Sequence, residues 1–346
     1  MQTAYDVGST PTGSKTPIAI FAEGDVTGVI SDLRLAETAN ALPQVPVKVE
    51  TVGLASPDTS GADEFDMDTQ YSSGMASTVS TLYIYAATSM SDSDLALSFN
   101  RFAAQKLARA GSASFGECEI FAYLDGSMVA DDNSFLEAAA QGQTVFASSG
   151  DTGSACIVGT GENGVPGEGL PMVEYPASSP YVLGAGGTTL LTNSNGTWND
   201  EITRCAGGGG LSQFEALPYW QSTVNTLSTL GKGVPDISMD ADPERGVSIW
   251  LDGTEQCCYG GTSLFSPLSL GVWARLQSAH KNKLGFAGPV LYIGAVALPS
   301  VAAPVGFHDI IVGANGLYTA LPGYDLTTGL GSFDVSKAKA SMPNNK

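Results

Sequence analysis

The chain of 346 residues carries 35 acidic and 15 basic side chains, which gives a formal net charge of −20 at pH 7. A surface this acidic repels nucleic-acid phosphates and anionic membranes, so neither is an expected partner. Hydrophobic residues make up 43% of the chain and charged residues 14%, which is enough for a sizeable core. No run of about 18 apolar residues is present, so the sequence predicts no membrane-spanning helix.

Apolar runs and segments of helical periodicity alternate along the chain. The predicted strands cover residues 17–22, 47–52, 82–87 and 144–148, and the predicted helices cover 33–42, 64–78, 94–108 and 268–276. This alternation favours an α/β fold with a doubly wound, mainly parallel sheet and helices on both faces. We expect one domain over residues 1–346, with functional side chains on loops at the carboxyl ends of strands.

The sequence has five cysteines and two histidines, with no CxxC pair. This excludes a zinc site built from Cys and His, and favours an exported protein with two disulfides and one remaining thiol. Spacing alone does not give the pairing. The first residues lack an apolar signal core, so we expect Met1 to begin an already processed chain.

The segment GGTSLFSP, residues 260–267, precedes a predicted helix. Its glycines allow a sharp turn and close approach of a substrate to Ser263, and the helix start adds N–H groups and a positive dipole end. An ordinary helix N-cap by Thr262 or Ser263 is the alternative. A serine nucleophile needs a base, and neither His280 nor His308 has a convincing companion carboxylate, which leaves a Ser-His-Asp triad possible but unsupported.

Carboxylates offer a better base. Glu64 and Asp68, in the segment EFDMD, lie four residues apart and therefore on one helix face, roughly 5–6 Å apart at Cβ. Two such groups share a proton and can serve a serine hydroxyl as base and then acid near pH 4, where imidazole is already protonated. The alternative is an acidic helix N-terminus, with Asp63 and Asp66, stabilised by the helix dipole.

Asp151, in the segment SSGDTG, follows the predicted strand 144–148. A protonated Asp at this edge of the sheet can donate a hydrogen bond to a developing oxyanion. An Asx-type turn is the alternative. Asp-Thr-Gly is also a signature of pepsin-like aspartic peptidases, but those are all-β and need a second such motif or a homodimer, so the α/β pattern excludes them.

In this order, EFDMD, SSGD and GGTSLFSP resemble the motifs of the sedolisin family of serine-carboxyl peptidases. Further segments extend the likeness over nearly the whole chain: YPASSPYVLGAGGT, GGGGLSQFEALPYWQ and GVPDISMDADP. The segment EFDMDTQ is most similar to the sequences of the bacterial, pepstatin-insensitive branch of the family (pseudomonalisin and xanthomonalisin). The resemblance implies that Ser263 attacks the scissile carbonyl, Glu64 is general base and acid, Asp68 tunes Glu64, and Asp151 stabilises the oxyanion.

The resemblance also implies a subtilisin-like fold, secretion, peptide or protein substrates, and a prodomain that is removed in acid and absent from this chain. We take a monomer as the default. A structural Ca²⁺ ion is implied, with five ligands: carboxylates of Asp309 and Asp325 and carbonyls of Ile310, Leu321 and Gly323. The family often has Gly where Leu321 stands. The implied disulfides are Cys118–Cys156 and Cys205 with Cys257 or Cys258.

The sequence therefore predicts an acid-active serine-carboxyl endopeptidase. Two alternatives stay open: a His-dependent, subtilisin-like serine hydrolase, and a catalytically silent, calcium-stabilised binding protein on the same scaffold. Subsite preference and natural substrate are not encoded in any motif of the sequence.

Overall fold

The structure, a computed structural model, describes residues 1–160, 166–222, 224, 230–296 and 305–343. The helices are α1 (Thr27–Ala39), α2 (Ala62–Ala76), α3 (Asp92–Gln105), α4 (Glu119–Asp125), α5 (Ser127–Ala140), α6 (Thr262–Ala279), α7 (Ala287–Val296) and α8 (Val335–Ser341). A short 3₁₀ helix covers Pro243–Arg245.

The strands are numbered in chain order. They are β1 (Gly13–Glu23), β2 (Val47–Val52), β3 (Val79–Ala87), β4 (Ala110–Ala113), β5 (Glu117–Cys118), β6 (Thr144–Ser148), β7 (Cys156–Thr160), β8 (Pro166–Leu170), β9 (Glu174–Tyr175), β10 (Val182–Thr192), β11 (Trp198–Thr203), β12 (Gly210–Ala216), β13 (Gly231–Val234), β14 (Ile237–Asp240), β15 (Val247–Leu251), β16 (Thr254–Tyr259), β17 (Phe307–His308) and β18 (Ser332–Phe333).

The central sheet has the strand order β11-β10-β6-β4-β1-β3-β2, and β14 pairs with β10 outside this path. Its pairs are parallel, apart from the antiparallel pair of β10 and β11. Parallel strands need crossover connections, which the helices supply. The predicted doubly wound, mainly parallel sheet is therefore confirmed.

Strand β1 shows why helices lie on both faces. Ile18 and Ile20 pack into the cluster that includes α6, whereas Ala19 and Phe21 pack into the cluster of α3 and α5. Phe21 meets Phe99 of α3 edge to face, with 4.9 Å between ring centroids. A strand buried on both faces becomes a continuous apolar run, which is the pattern that the sequence shows.

The predicted bounds of β2 and β6 agree with the structure, while those of the helices shift. Helix α1 begins at Thr27, because Val29 also faces the core, together with Leu33 and Ala36. Helix α3 ends at Gln105, since Lys106 adopts a left-handed φ of 57°. Over the described ranges, the structure contains no helix that is both long and apolar enough to cross a bilayer.

The disulfides agree only in part with expectation. Cys118 and Cys156 are joined, with 5.6 Å between their Cα atoms. Cys257 and Cys258 are joined to each other, and Cys205 is an exposed free thiol, so the expected pairing of Cys205 was wrong. The physical reason is the position of the cysteines. Cys205 lies against the loop that follows β6. Cys257 and Cys258 lie on β16, which pairs with β15, and β15 packs on α1 and α2.

Candidate active site

Helix α6 presents Ser263 at its amino-terminal end. The N-cap residue is Gly261, with φ +91°, and no side chain caps the helix. A Cβ on Gly261 would lie 2.9 Å from Asp151 Oδ2, so both the backbone angle and the close approach require glycine. The N-cap interpretation of Thr262 or Ser263 is therefore wrong, because both residues lie inside the helix.

Pro267 explains how Ser263 is anchored. Proline has no N–H, so the Ser263 carbonyl four residues earlier loses its helical donor. The Ser114 hydroxyl, just beyond β4, lies 3.2 Å from that carbonyl and 2.6 Å from Asp68 Oδ1, within reach of both acceptors. The Ser263 hydroxyl donates to the Ser114 carbonyl at 3.4 Å. Ser114 thus connects the serine to the acidic pair on α2.

Glu64 and Asp68 lie one turn apart on α2, and Asp68 is fully buried. Burial raises the pKa of Glu64 to about 8, and the hydroxyl of Ser263 partly offsets that rise. Burial, and then the charge of Glu64, hold the pKa of Asp68 well above its usual value. The pair therefore keeps at least one proton through the acid range.

One buried oxygen of each carboxyl, Glu64 Oε1 and Asp68 Oδ2, has no hydrogen-bond partner within the described part of the chain. A proton shared between the two carboxyls would satisfy both oxygens. The helix-dipole interpretation accounts only for the exposed Asp63, because Asp66 and Asp68 are buried in the protein interior.

Asp151 lies beyond β6, beside the start of α6. Its carboxylate accepts a hydrogen bond from the Thr262 backbone N–H at 3.0 Å and forms an ion pair with the Arg204 guanidinium. These partners are distant in sequence, so the Asx-turn interpretation is not supported. Arg204 was missed by sequence reasoning, because nothing in the loop after β11 distinguishes it. In this arrangement Asp151 is an acceptor, and it can donate only when protonated.

The histidines lie elsewhere. His280 is the C-cap of α6, and 17 residues at 1.5 Å per residue place it about 25 Å from Ser263. The His308 ring stacks on Trp198, with 4.0 Å between ring centroids, and burial lowers its pKa. The charged groups around His308 are Asp334, Lys337 and Asp6. The geometry gives no support to a histidine base for Ser263.

Two of the predicted calcium ligands, Asp309 and Asp325, interact through their charges, and the backbone of Gly323 and of Leu321 contacts them. The Gly323 N–H donates to Asp309 at 3.0 Å, and the Leu321 N–H donates to Asp325 at 2.9 Å. Burial raises the pKa of Asp309 to about 6, with the nearby charge of Asp325 adding to the rise. Leu321 is not among the residues with positive φ, so its side chain causes no backbone strain. Two adjacent, desolvated carboxylates that repel each other fit a hard cation such as Ca²⁺.

The chain is similar in sequence, along nearly its whole length, to two bacterial proteins. No model of a protein family matches the chain. Sedolisin from Pseudomonas sp. (strain 101) is 37% identical over 365 aligned residues, which include 99% of this chain and 60% of that protein. Xanthomonalisin from Xanthomonas sp. (strain T-22) is 34% identical, with 96% of this chain and 44% of that protein covered.

A solved structure of Pseudomonas sedolisin, complexed with two molecules of pseudo-iodotyrostatin, superposes with a TM-score of 0.88 at 36% identity. The match covers 98% of this chain and 95% of that one. The fold is therefore subtilisin-like, and its site combines a serine with carboxyl groups. The chain belongs to the sedolisin family of serine-carboxyl peptidases, and to its bacterial branch. It spans less than two thirds of the length of the two relatives named above, 60% and 44%.

Proposed function

We propose that this chain is the catalytic domain of an acid-active serine-carboxyl endopeptidase. The observation that carries the proposal is the chain of contacts from Ser263 through Ser114 to the buried pair of Glu64 and Asp68. The reaction needs the pair in its singly protonated form, which can still accept the serine proton in acid, where a histidine base would be protonated.

In the proposed reaction, Ser263 Oγ attacks the scissile carbonyl and its proton passes to Glu64. Asp68 redistributes the shared proton, so that the pair never carries two charges. Glu64 then gives the proton to the leaving amine as the C–N bond breaks, which leaves an acyl-enzyme on Ser263. Water repeats the sequence: it attacks the ester, loses a proton to Glu64, and releases the acid product while Ser263 regains its proton.

Asp151 is the proposed oxyanion donor. In acid its protonated carboxyl would donate to the developing negative charge beside the start of α6. Arg204, its ion-pair partner, would add positive charge near the same atom.

We further propose one structural Ca²⁺ ion, held by five ligands: Asp309, Asp325 and the carbonyls of Ile310, Leu321 and Gly323. It would neutralise two carboxylates that the loops hold side by side. Secretion and a prodomain removed in acid belong to the same proposal, as do peptide or protein substrates and a monomeric mature state. The Cys118–Cys156 disulfide fits an oxidising compartment.

The test is a pH–rate profile on a peptide substrate from pH 2 to 8. Wild type should be active only in acid, while Ser263→Ala and Glu64→Gln should lose activity at every pH. Glu137→Gln, a change of an exposed carboxyl on α5, should keep the wild-type profile. An optimum above pH 7 that survives Glu64→Gln would overturn the proposed base.

A further inference from the structure

A cavity of about 290 Å³ lies between α3, β5 and α5. Its wall includes the apolar side chains of Leu95 and Phe115, but three of the residues that line it are acidic: Asp92, Glu117 and Asp131. Asp92 begins α3, Glu117 lies on β5 and Asp131 lies on α5. The fold therefore gathers carboxyls from three separate segments around one space.

Asp125, the last residue of α4, adds a carboxyl beside Asp92 and Glu117. One oxygen from each of these three carboxyls lies within 4.8 Å of the others. Calcium–oxygen bonds are about 2.3–2.6 Å long, so a single Ca²⁺ ion can lie between oxygens at such separations. The Ser127 backbone N–H donates to Asp125 Oδ1 at 2.8 Å, which holds this carboxyl in place and leaves its second oxygen for a ligand.

Asp131 gives an independent indication of a ligand in the cavity. The residue is only 4% exposed, and its Oδ1 has no hydrogen-bond partner in the part of the chain that the structure describes. A buried carboxyl oxygen without a donor costs free energy, which a donor inside the cavity would recover. A water molecule bound to a cation is such a donor, because the ion polarises its O–H bonds.

The charges around the cavity are unbalanced. Within the described ranges, no lysine or arginine forms an ion pair with any of the four carboxyls. The charges that act most strongly on Asp131 are those of Asp132, Asp92, Asp125 and Glu117, all of them acidic. Carboxylates held together in this way attract a hard cation, and oxygen ligands alone favour Ca²⁺ over softer metals.

We propose that Asp92, Glu117 and Asp125 form a binding site for a divalent cation, Ca²⁺, and that Asp131 accepts a hydrogen bond from a water ligand of the ion. The site is separate from the calcium loops proposed above. The ion joins the start of α3 and the end of α4 to β5.

The position of β5 connects this site with the active site. Strand β5 directly follows the segment 114–116, in which Ser114 contacts both Ser263 and Asp68. A cation that fixes Glu117 therefore also restrains the segment that holds the serine. Binding of the cation does not depend on the proposed peptidase function, so the test needs no activity.

The experiment counts bound Ca²⁺ by equilibrium dialysis at pH 7, in a Ser263→Ala background that prevents self-digestion. A concentration of about 5 mM Ca²⁺ exceeds the Kd of weak extracellular sites. Asp92→Asn/Asp125→Asn should bind one ion per chain fewer than its parent, whether or not the other calcium loops are filled. Glu117→Gln, a second and independent variant, should also bind less Ca²⁺ than the parent.

Glu137→Gln/Glu244→Gln is the matched control, because it removes two exposed charges far from the cavity. This control should bind as many ions as the parent. Equal numbers of ions on the parent and on both site variants would overturn the site. An equal loss in the control would also overturn it, since the ions would then belong to the diffuse atmosphere around an acidic surface.

Thermal unfolding separates loss of an ion from damage to the fold. Without Ca²⁺, Asp92→Asn/Asp125→Asn should have the same Tm as its parent or a higher one, because it removes charges that repel each other. With Ca²⁺ added, the Tm of the parent should rise more than that of the variant. A variant that gains as much from Ca²⁺ as its parent would contradict the proposed site.

Discussion

The Asp66 carboxyl lies on the buried side of α2, away from the reacting groups. Its charged neighbours are Asp32, Asp252 and Asp63, and Gln70 donates a long hydrogen bond of 3.4 Å to its Oδ1. Its Oδ2 has no hydrogen-bond partner among the described residues. Burial, with the charge of Asp32 adding to it, raises the pKa of Asp66 to about 8.

The sign of the effect follows from linkage. Because the folded pKa of Asp66 lies above the unfolded value, its contribution to stability is fully present below about pH 4 and is lost progressively as pH rises towards 8. Between pH 4 and pH 7 the loss amounts to about 4 kcal/mol at 1.36 kcal/mol per pH unit. Relaxation and water penetration reduce this to about 2 kcal/mol. Asp66→Asn should remove that loss.

The assay is chemical denaturation at pH 4, 5, 6 and 7, in a Ser263→Ala background that prevents self-digestion. The free energy of unfolding of Asp66→Asn should decline less between pH 4 and pH 7 than that of its parent, by about 2 kcal/mol. Glu137→Gln, on α5 and exposed, should keep the parent slope. Equal slopes for Asp66→Asn and its parent would refute the assigned burial cost.

Three further predictions concern the oxyanion, the metal and a buried ion pair. Asp151→Ala should cut kcat by roughly 10²–10³ in a peptide assay, and an unchanged kcat would exclude an oxyanion role. Removal of calcium with EGTA at pH 6.5 should lower stability by about 3 kcal/mol, as measured by thermal unfolding, if the ion is present at about a hundred times its Kd. Equal Tm with and without EGTA would contradict the calcium site. Lys232, fully buried, donates to the carbonyls of Ala177, Ser179 and Val182 and pairs with Asp236. Lys232→Met should therefore cost about 3–5 kcal/mol in denaturation, whereas Lys337→Met on the surface should cost less than about 1 kcal/mol.

The sheet was predictable because its central strands are buried on both faces. Such strands have continuous apolar runs in the sequence, and the predicted bounds of β6 agreed with the structure to the residue. The helix ends were less predictable, because the length of α1 depends on how far the core beneath it extends. The pairing of Cys257 with Cys258 could not be inferred, because a bond between neighbouring cysteines leaves no trace in loop spacing.

The candidate site also has residues that the sequence predicted and residues that it did not. Glu64 and Asp68 were found through helical spacing, and the separation of Ser263 and Pro267 has a local reason, since the proline frees the serine carbonyl for Ser114. Arg204 was missed, because it reaches Asp151 from the loop after β11, far away in sequence. Its contact depends on which segments the sheet brings together, and no local pattern encodes that.

The stability expected in acid has a different origin from the one that net charge alone indicates. The charge of −20 predicts that repulsion among surface carboxylates eases in acid. The structure adds buried carboxyls that face other acids and resist ionisation. Burial raises the pKa values of Asp131 and Glu215 to about 8, and that of Asp240 to about 7. Such groups stabilise the fold in acid and weaken it towards neutrality, in the direction argued for Asp66. Salt would screen the surface repulsion but not the burial cost, so a loss of stability towards neutral pH that persists at high ionic strength would identify the buried groups as its cause.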